Sequence, residues 1–391
     1  MSRTPEPPGA TRSAPERRTS PTRGDIDNGT NGKPVETILV GVVGHGGYAG
    51  EELVAYLQRH EGVAPLLLDL PRQEPRRQPT GAASAPSKAI LQARQALAQS
   101  LPPAATARCA VEEALEGTPL DAVFLATPVG VSLKLAPRFL SAGTRVIDLS
   151  GAFRLSTAAA FEAWYGIPHT CPELLQAAIY GLPEVNRLQL GTARLVANPG
   201  CLATAASLAL CPLQHAGVID ARSLVVCDAK TGVSGAGKES RAATSFCSIS
   251  ENFSLYGSMA HRHIPEILDA CRLEQERFLF SAQVLPVRRG VLATMYFQLD
   301  RGAGTGDVET ALAGRYGAEP FVDVVPGGSF PNLASVVHTN QCRLGYEVVE
   351  PGRRALVVSA LDNLGKGAAG QAVQNFNAMF GFAETTGLVS S

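Results

Sequence analysis

Ile38-Leu39-Val40-Gly41-Val42-Val43-Gly44-His45-Gly46-Gly47-Tyr48-Ala49-Gly50-Glu51-Glu52-Leu53 is the stretch whose reading decides the fold. Its first six residues form a continuous apolar run, the pattern of a strand buried on both faces. Glycines then stand at 44, 46, 47 and 50. Leu53, Val54 and Leu57 follow at helical spacing, so a helix is expected from near Glu51. A strand, a glycine turn and a helix in that order is the context of a dinucleotide-binding loop. Gly44, Gly47 and Gly50 read G-x-x-G-x-x-G, a variant of the usual G-x-G-x-x-G. Small residues let the backbone approach a pyrophosphate, which rests on the helix N-terminus. Gly44, Gly47, Tyr48, Ala49 and Gly50 are therefore candidate cofactor-binding residues. The competing reading is a tight turn that binds nothing.

Outward from this loop, strands and helices alternate. Val63 to Leu68 is a second strand candidate, with Asp69 where an acidic residue would grip a ribose. Arg72, Arg76 and Arg77 follow closely, and arginine suits a 2′-phosphate, which tips the expectation towards NADP over NAD. A helix is expected over Ser87 to Gln99. Asp121 to Pro128 reads as a buried strand ending in a small-residue turn, with a helix over Val131 to Ala142. Arg145 to Ser150 is a further strand. This alternation predicts a doubly wound parallel sheet, with ligands gathered at strand carboxyl ends near Gly44, Thr127, Pro128 and Ser150. Gly151 to Asn186 loses the period and reads as one long functional loop.

A second turn of special character is Asn198-Pro199-Gly200-Cys201, between an apolar strand and an Ala- and Leu-rich helix. A thiol at a helix start meets unpaired N–H groups and a partial positive charge. That setting is expected to favour the nucleophilic thiolate and to hold an oxyanion. The alternative is a buried structural cysteine. Ser223 to Lys230 then reads as a strand. Thr231 to Lys238 is Gly- and Ser-rich, like an anion cradle, but lacks Walker A spacing. His261-Arg262-His263 is the densest polar cluster and offers a base and a cation; surface or capping histidines are the other reading. Strands are expected at Phe278 to Pro286, Val291 to Leu299, Phe321 to Val325, Ala334 to Thr339 and Arg354 to Leu361. Successive strands with few helices predict an α+β second domain with a mainly antiparallel sheet. Lys366 to Phe380 reads as an amphipathic helix. The Asp362-Asn363 turn before it can line a ligand site.

Composition bounds these readings. The chain has 391 residues, which favours two domains. The divisions expected are a disordered tail over 1–35, a dinucleotide domain over 36–200 plus 362–391, and a catalytic and oligomerisation domain over 201–361. Lys plus Arg (34) nearly cancels Asp plus Glu (35), so no basic field points to nucleic acid or membrane. Eight cysteines lie at 109, 171, 201, 211, 227, 247, 271 and 342 without a C-x-x-C pair, so no metal cage is expected. Cys211, Cys227, Cys247 and Cys271 read as packing residues. No apolar run approaches the length of a membrane span. The N-terminal residues carry no signal-peptide core, and Glu6, Glu16, Asp25 and Asp27 argue against a transit peptide. The expected compartment is a reducing cytoplasm.

Ten segments, in order, resemble the N-acetyl-gamma-glutamyl-phosphate reductase family: GHGGYAGEEL, DLSGAFRL, WYGIPH, YGLPEVNR, LVANPGC, DAKTGVSGAGK, ENFSLYGSMAHRHIPEI, VLPVRRG, TNQCRLGYE and DNLGKGAAGQAVQNFNAMFGF. The likeness runs from about Ile38 to Leu388. It implies a Rossmann-like cofactor domain completed by the C-terminal helix, and a homodimer or homotetramer. It also implies NADPH-dependent reduction of the acyl phosphate N-acetyl-L-glutamyl 5-phosphate to the semialdehyde, in arginine biosynthesis. Cys201 would form a thioester, with His261, or else His263, as base. Backbone N–H groups, with the Asn198 side chain, would hold the oxyanion. Arg154, Ser234, Lys238 and Arg262 would bind phosphate or carboxylate, with Ser234, Gly235 and Asn363 lining the cofactor site. The chain departs from the family in three places. Leu202 and Ala203 stand where Tyr-Pro usually follows the cysteine. His45 and Gly46 replace small and hydroxyl residues in the glycine loop. The usual Ser-Arg pair is missing after the second strand. Two other functions share these motifs: reduction of an N-modified aminoadipyl phosphate in lysine biosynthesis, and a non-catalytic NADP-binding sensor.

Overall fold

Continuous apolar runs in the first strands and alternating burial in several later ones accompany two seven-stranded sheets among the described residues. The computed structural model describes residues 37–71, 107–117, 120–239, 241–349 and 353–389. The expected tail, Arg72, Arg76, Arg77 and the helix expected over Ser87 to Gln99 lie outside them.

The first sheet contains β1 (Ile38–Val43), β2 (Val63–Asp69), β3 (Ala107–Ala110), β4 (Ala122–Leu125), β5 (Arg145–Asp148), β6 (Ala178–Tyr180) and β7 (Leu195–Ala197). Its order is β3-β2-β1-β4-β5-β7-β6, and every pairing is parallel. Both faces are covered, which is why β1 and β4 are apolar throughout. The order reverses between β1 and β4, and there the glycine loop stands. Gly44 has φ +82°, and a Cβ on it would stand 2.2 Å from the Ala126 carbonyl oxygen. Only glycine therefore lets the loop close against the β4 turn. The helix after it starts at Tyr48 rather than Glu51.

The second sheet contains β8 (Val225–Gly232), β9 (Ser254–Tyr256), β10 (Phe278–Leu285), β11 (Val291–Gln298), β12 (Val322–Val324), β13 (Cys342–Val349) and β14 (Arg354–Leu361). Its order is β12-β13-β14-β11-β8-β10-β9. Four pairings are antiparallel and two parallel, so the mainly antiparallel sheet is as expected. The helix Cys201–His215 lies on one face, where Leu202, Ala206, Leu210 and Leu213 meet Cys227, Ala229, Met295 and Leu361.

Three expectations are corrected. Gly151 to Asn186 is no loop: it holds helices Ala158–Tyr165 and Glu173–Ala177, then β6, then the start of helix Pro183–Leu190. These elements are too short to show a period. Ala334 to Thr339 is not a strand: a single helical turn covers Leu333–Ser335, capped by the Asn332 side chain, and the strand comes later as β13. Cys247 is exposed, whereas Cys211, Cys227 and Cys271 are buried.

After β14 the chain crosses back. A π-helical turn over Gly365–Ala369 leads into helix Gly370–Phe380, which packs on the first sheet. Val373 and Phe376 join Val40, Val42, Phe124 and Ile147 in one core. No helix of the described residues is long and apolar enough to cross a membrane.

Candidate active site

Cys201 is the first residue of its helix, and Gly200, the N-cap residue, has no side chain to cap it. The first-turn N–H groups are thus open to a ligand. The turn is fixed from behind by two buried charges. Arg154 donates from Nε to the Asn198 carbonyl (2.8 Å), from Nη2 to the Leu149 carbonyl (2.8 Å) and from Nη1 to Glu266 Oε1 (3.0 Å). Glu266 Oε2 accepts the Gly200 N–H (2.9 Å) and the Tyr180 hydroxyl (3.2 Å). Arg154 thus reaches the nucleophile turn, where it clamps main chain. Glu266 and Tyr180 were missed from sequence, although Glu266 stands inside HRHIPEI. A cleft of about 380 Å³ reaches Arg154, Tyr180 and Glu266 but does not include Cys201.

The Asn198 amide is also engaged. Nδ2 donates to the Ala368 carbonyl (3.0 Å), and Oδ1 accepts from Asn375 Nδ2 (3.0 Å). It ties the turn to the C-terminal segment, and with its Nδ2 donor serving the Ala368 carbonyl the backbone N–H groups are left to meet an oxyanion. From the same segment, a Cβ added to Gly367 would stand 2.7 Å from Cys201 Cβ.

The His263 ring lies on the turn itself. A Cβ built on Gly200 would stand 2.1 Å from His263 Nε2. Its Nδ1 is buried without a hydrogen-bond partner. The His261 ring stands edge-on to it, with centroids 4.6 Å apart, and His261 Nδ1 accepts the His263 backbone N–H (3.1 Å). The Tyr256 ring is edge-on to His261 at 5.4 Å. Arg262 stands over the Tyr165 ring at 5.4 Å.

The surroundings of Cys201 oppose the expected resting thiolate. Cys201 is half-buried by surface, but dense packing around its sulfur desolvates the thiol and pushes it up to about 11, although Arg154 and the Leu202 N–H pull the other way. Desolvation of a buried anion outweighs one helix terminus and one guanidinium already paired with Glu266. Burial, with Arg262 nearby, pushes His261 down to about 4. Burial, His261 and Arg154 push His263 well below the usual imidazole range. The free site is therefore a neutral thiol beside neutral imidazoles.

The residues expected to hold a cofactor fall at the carboxyl ends of the first sheet and at the start of the second. The helix that opens at Tyr48 has Gly47 as its N-cap and no side-chain cap, which suits a pyrophosphate. Thr127 and Ser150 are buried: the Thr127 hydroxyl bonds Ser132 Oγ (2.8 Å), and Ser150 donates to Asp148 (2.8 Å). Pro128 caps the helix Val129–Ser141. Asn363 donates from Nδ2 to Ser234 Oγ (2.9 Å) and accepts the Gly290 N–H (2.7 Å). Gly235 follows Ser234 in a short helical turn, Val233–Ala236. Lys238 forms an ion pair with Glu51 and stands over the Tyr48 ring at 5.9 Å. Tyr48, Ser234, Lys238, Arg241 and Arg288 line a cleft of about 190 Å³. Arg289 then joins the glycine-loop helix to the Asp362 turn, pairing with Glu52 (3.0 Å) and Asp362 (3.0 Å).

Two family models match the chain: the semialdehyde dehydrogenase NAD binding domain over residues 39–193 and the semialdehyde dehydrogenase dimerisation domain over 201–363. Solved structures share the fold. Aspartate semialdehyde dehydrogenase II of Vibrio cholerae has a TM-score of 0.62 at 17% identity, over 88% of this chain and 98% of that one. A probable aspartate-semialdehyde dehydrogenase of Pseudomonas aeruginosa has a TM-score of 0.59 at 21% identity, over 87% and 98%. The matched models place the chain among proteins built from semialdehyde dehydrogenase domains, and the solved structures share its fold. Sequence relatives narrow the class. A protein of Janthinobacterium sp. is 42% identical over 90% of this chain and 98% of its own length, and one of Nitrosospira multiformis is 42% identical over 89% and 97%. Both are named N-acetyl-gamma-glutamyl-phosphate reductase, and the chain belongs to that family.

Proposed function

We propose that the chain reduces the acyl phosphate of N-acetyl-L-glutamate to the 5-semialdehyde and releases phosphate, within arginine biosynthesis. The observation that carries this reading is Cys201 at an uncapped helix start with the His263 ring against the preceding residue. The Cys201 sulfur attacks the acyl carbon as its proton passes to imidazole. The carbonyl oxygen becomes an oxyanion facing the first-turn N–H groups. Phosphate leaves and a thioester remains on Cys201. NADPH, when bound, supplies the hydride that this thioester needs. The imidazole then returns its proton to the oxygen of the reduced adduct, and the aldehyde departs as the thiol reforms.

We assign the base to His263 rather than to the His261 favoured from sequence. His261 Nδ1 is taken by a backbone N–H, so its neutral ring carries its proton on Nε2 and orients His263. Arg154 acts by positioning the turn, while Lys238 and Arg241 offer charge to a phosphate. We assign residues 36–200 with 362–391 to the cofactor domain and 201–361 to the catalytic one. A homodimer or homotetramer, living in the cytoplasm where its thiols stay reduced, completes the reading; light scattering tests the oligomer.

Cys201→Ser tests the chemistry. Reduction is expected to vanish while the Kd for NADPH stays near wild type, and substantial residual turnover would refute covalent catalysis. Comparison with the one-carbon-longer aminoadipyl phosphate tests the substrate; preference for the longer chain would overturn the assignment. A non-catalytic sensor would bind NADPH without thiol-dependent turnover.

A further inference from the structure

The turn after β14 holds a buried charge that the reaction does not use. In Gly365-Lys366-Gly367-Ala368-Ala369-Gly370 only Lys366 has a side chain longer than a methyl group. Its ammonium is fully buried and donates to Glu184 Oε1 (2.6 Å) and Gln374 Oε1 (2.6 Å). It also faces the Phe321 ring at 5.7 Å. Glu184 Oε1 accepts Gln374 Nε2 as well (3.1 Å). Burial pushes the Glu184 carboxyl up, but the Lys366 ammonium outweighs it and holds the group below the usual carboxylate range. The pair is therefore ionic inside the core.

Apolar side chains of the same volume would hold a core at least as well as a desolvated ion pair, so stability alone does not account for this one. A fixed position does. The turn is π-helical: the Gly367 N–H donates to the Asp362 carbonyl (2.9 Å) and the Ala369 N–H to the Leu364 carbonyl (2.9 Å). Turns of this kind gather at functional sites. Here the turn lies against the nucleophile. A Cβ on Gly367 would stand 2.7 Å from Cys201 Cβ, and the Ala368 carbonyl accepts Asn198 Nδ2 (3.0 Å). Gly367 has no left-handed backbone to satisfy, so it is glycine for want of space beside Cys201. Glycines and alanines give such a turn little grip of its own. Lys366 supplies it by reaching helix Pro183–Leu190 through Glu184 and helix Gly370–Phe380 through Gln374.

We propose that Gly367 fixes where the Cys201 side chain stands, and that the buried Lys366–Glu184 pair holds Gly367 in that place. Both are positioning residues, acting through Cys201. Moving Cys201 Cβ moves the sulfur relative to the first-turn N–H groups and the His263 ring, and a shift of about 1 Å costs about a hundredfold in rate. The inference rests on the thioester reading and deepens it by naming what seats the nucleophile from the C-terminal segment.

The test uses the full chain carrying Cys247→Ser, which removes the exposed competing thiol. Gly367→Ala is expected to lower kcat and the rate of Cys201 alkylation by iodoacetamide at least about tenfold, with the Kd for NADPH within about threefold of the parent. At one fixed protein concentration it is expected to lower Tm by about 3 °C or more, and by under about 1 °C in a Cys201→Gly background, where the clash is gone. Lys366→Met alone strands the Glu184 charge, so Lys366→Met is combined with Glu184→Gln to remove both charges together. The double variant is expected to fold by circular dichroism and to repeat the loss of kcat and alkylation with NADPH binding kept within about threefold. Equal Tm losses in the two backgrounds, a kcat within about threefold of the parent in either folded variant, or equal falls in kcat and NADPH binding overturn the proposal while the covalent reading stands. Turnover that survives Cys201→Ser overturns both.

Discussion

Glu266 is where stability and catalysis meet, and its removal can be worked through. The carboxylate is fully buried and answers three groups: the Arg154 guanidinium, the Gly200 N–H and the Tyr180 hydroxyl. Glu266→Ala leaves the Arg154 charge buried without its partner, a change that typically costs about 3–5 kcal/mol. Two further donors lose an acceptor, at about 1–3 kcal/mol each when no replacement arrives. Water entering the cleft that Glu266 lines can meet part of this demand. With water meeting part of the demand, the expected loss is the low end of these terms, about 5 kcal/mol in all. Glu266→Gln can keep its oxygen on the Gly200 N–H and the Tyr180 hydroxyl, but its NH2 then faces the Arg154 Nη1 donor, so the charge and that bond go together and about half that loss is expected. Urea unfolding at one fixed protein concentration measures both, because an oligomer's stability depends on concentration. Turnover should fall in both variants by more than the folded fraction falls, since the nucleophile turn loses its support. A loss below about 1 kcal/mol for Glu266→Ala, the worth of a surface ion pair, would refute the clamp.

Three further outcomes follow from the site. Alkylation of Cys201 in a Cys247→Ser background should rise about tenfold per pH unit towards pH 10, since a thiol near 11 is only about three parts in ten thousand thiolate at pH 7.5; a plateau already reached at pH 7 would sink the neutral-thiol reading. His263→Ala should cost about a hundredfold or more in kcat, and His261→Ala clearly less; the reverse order in kcat and in the pH–rate profile would return the base to His261. Gly200→Ala should displace the His263 ring, whose Nε2 stands 2.1 Å from the new Cβ. Its kcat should fall about a hundredfold with the fold intact by circular dichroism, and activity within about threefold of wild type would refute the packing.

Legibility in the sequence followed the range of the forces involved. β1, β4 and the glycine turn are local: an apolar run and a φ > 0 residue announce themselves. The Asn198-Pro199-Gly200-Cys201 turn is local in the same way, which is why a thiol at a helix start could be singled out. β6 was not legible, because three residues carry no period and the strand exists only by pairing with β7. The Arg154–Glu266 clamp joins residues 112 apart, and no spacing rule connects them.

The thiol itself marks the boundary most sharply. Reasoning from the helix start alone weighed a partial charge of about half a unit, worth roughly 0.3–2 kcal/mol, in favour of the thiolate. Burial opposes it with a penalty of several kcal/mol per ion, and burial is a tertiary fact. Arg154 does not reverse the balance, because Glu266 already claims its charge. On the proposed mechanism the cysteine rests protonated and becomes an anion only as its proton moves to imidazole during attack. In such a site the histidine contributes most at the moment of reaction, and the clamp that holds Gly200 against its ring sets how well that moment is reached. Reactivity then depends on a distance held by Glu266, so Glu266→Gln should depress kcat more than it depresses NADPH binding; an equal fall in both would assign the residue to general stability alone.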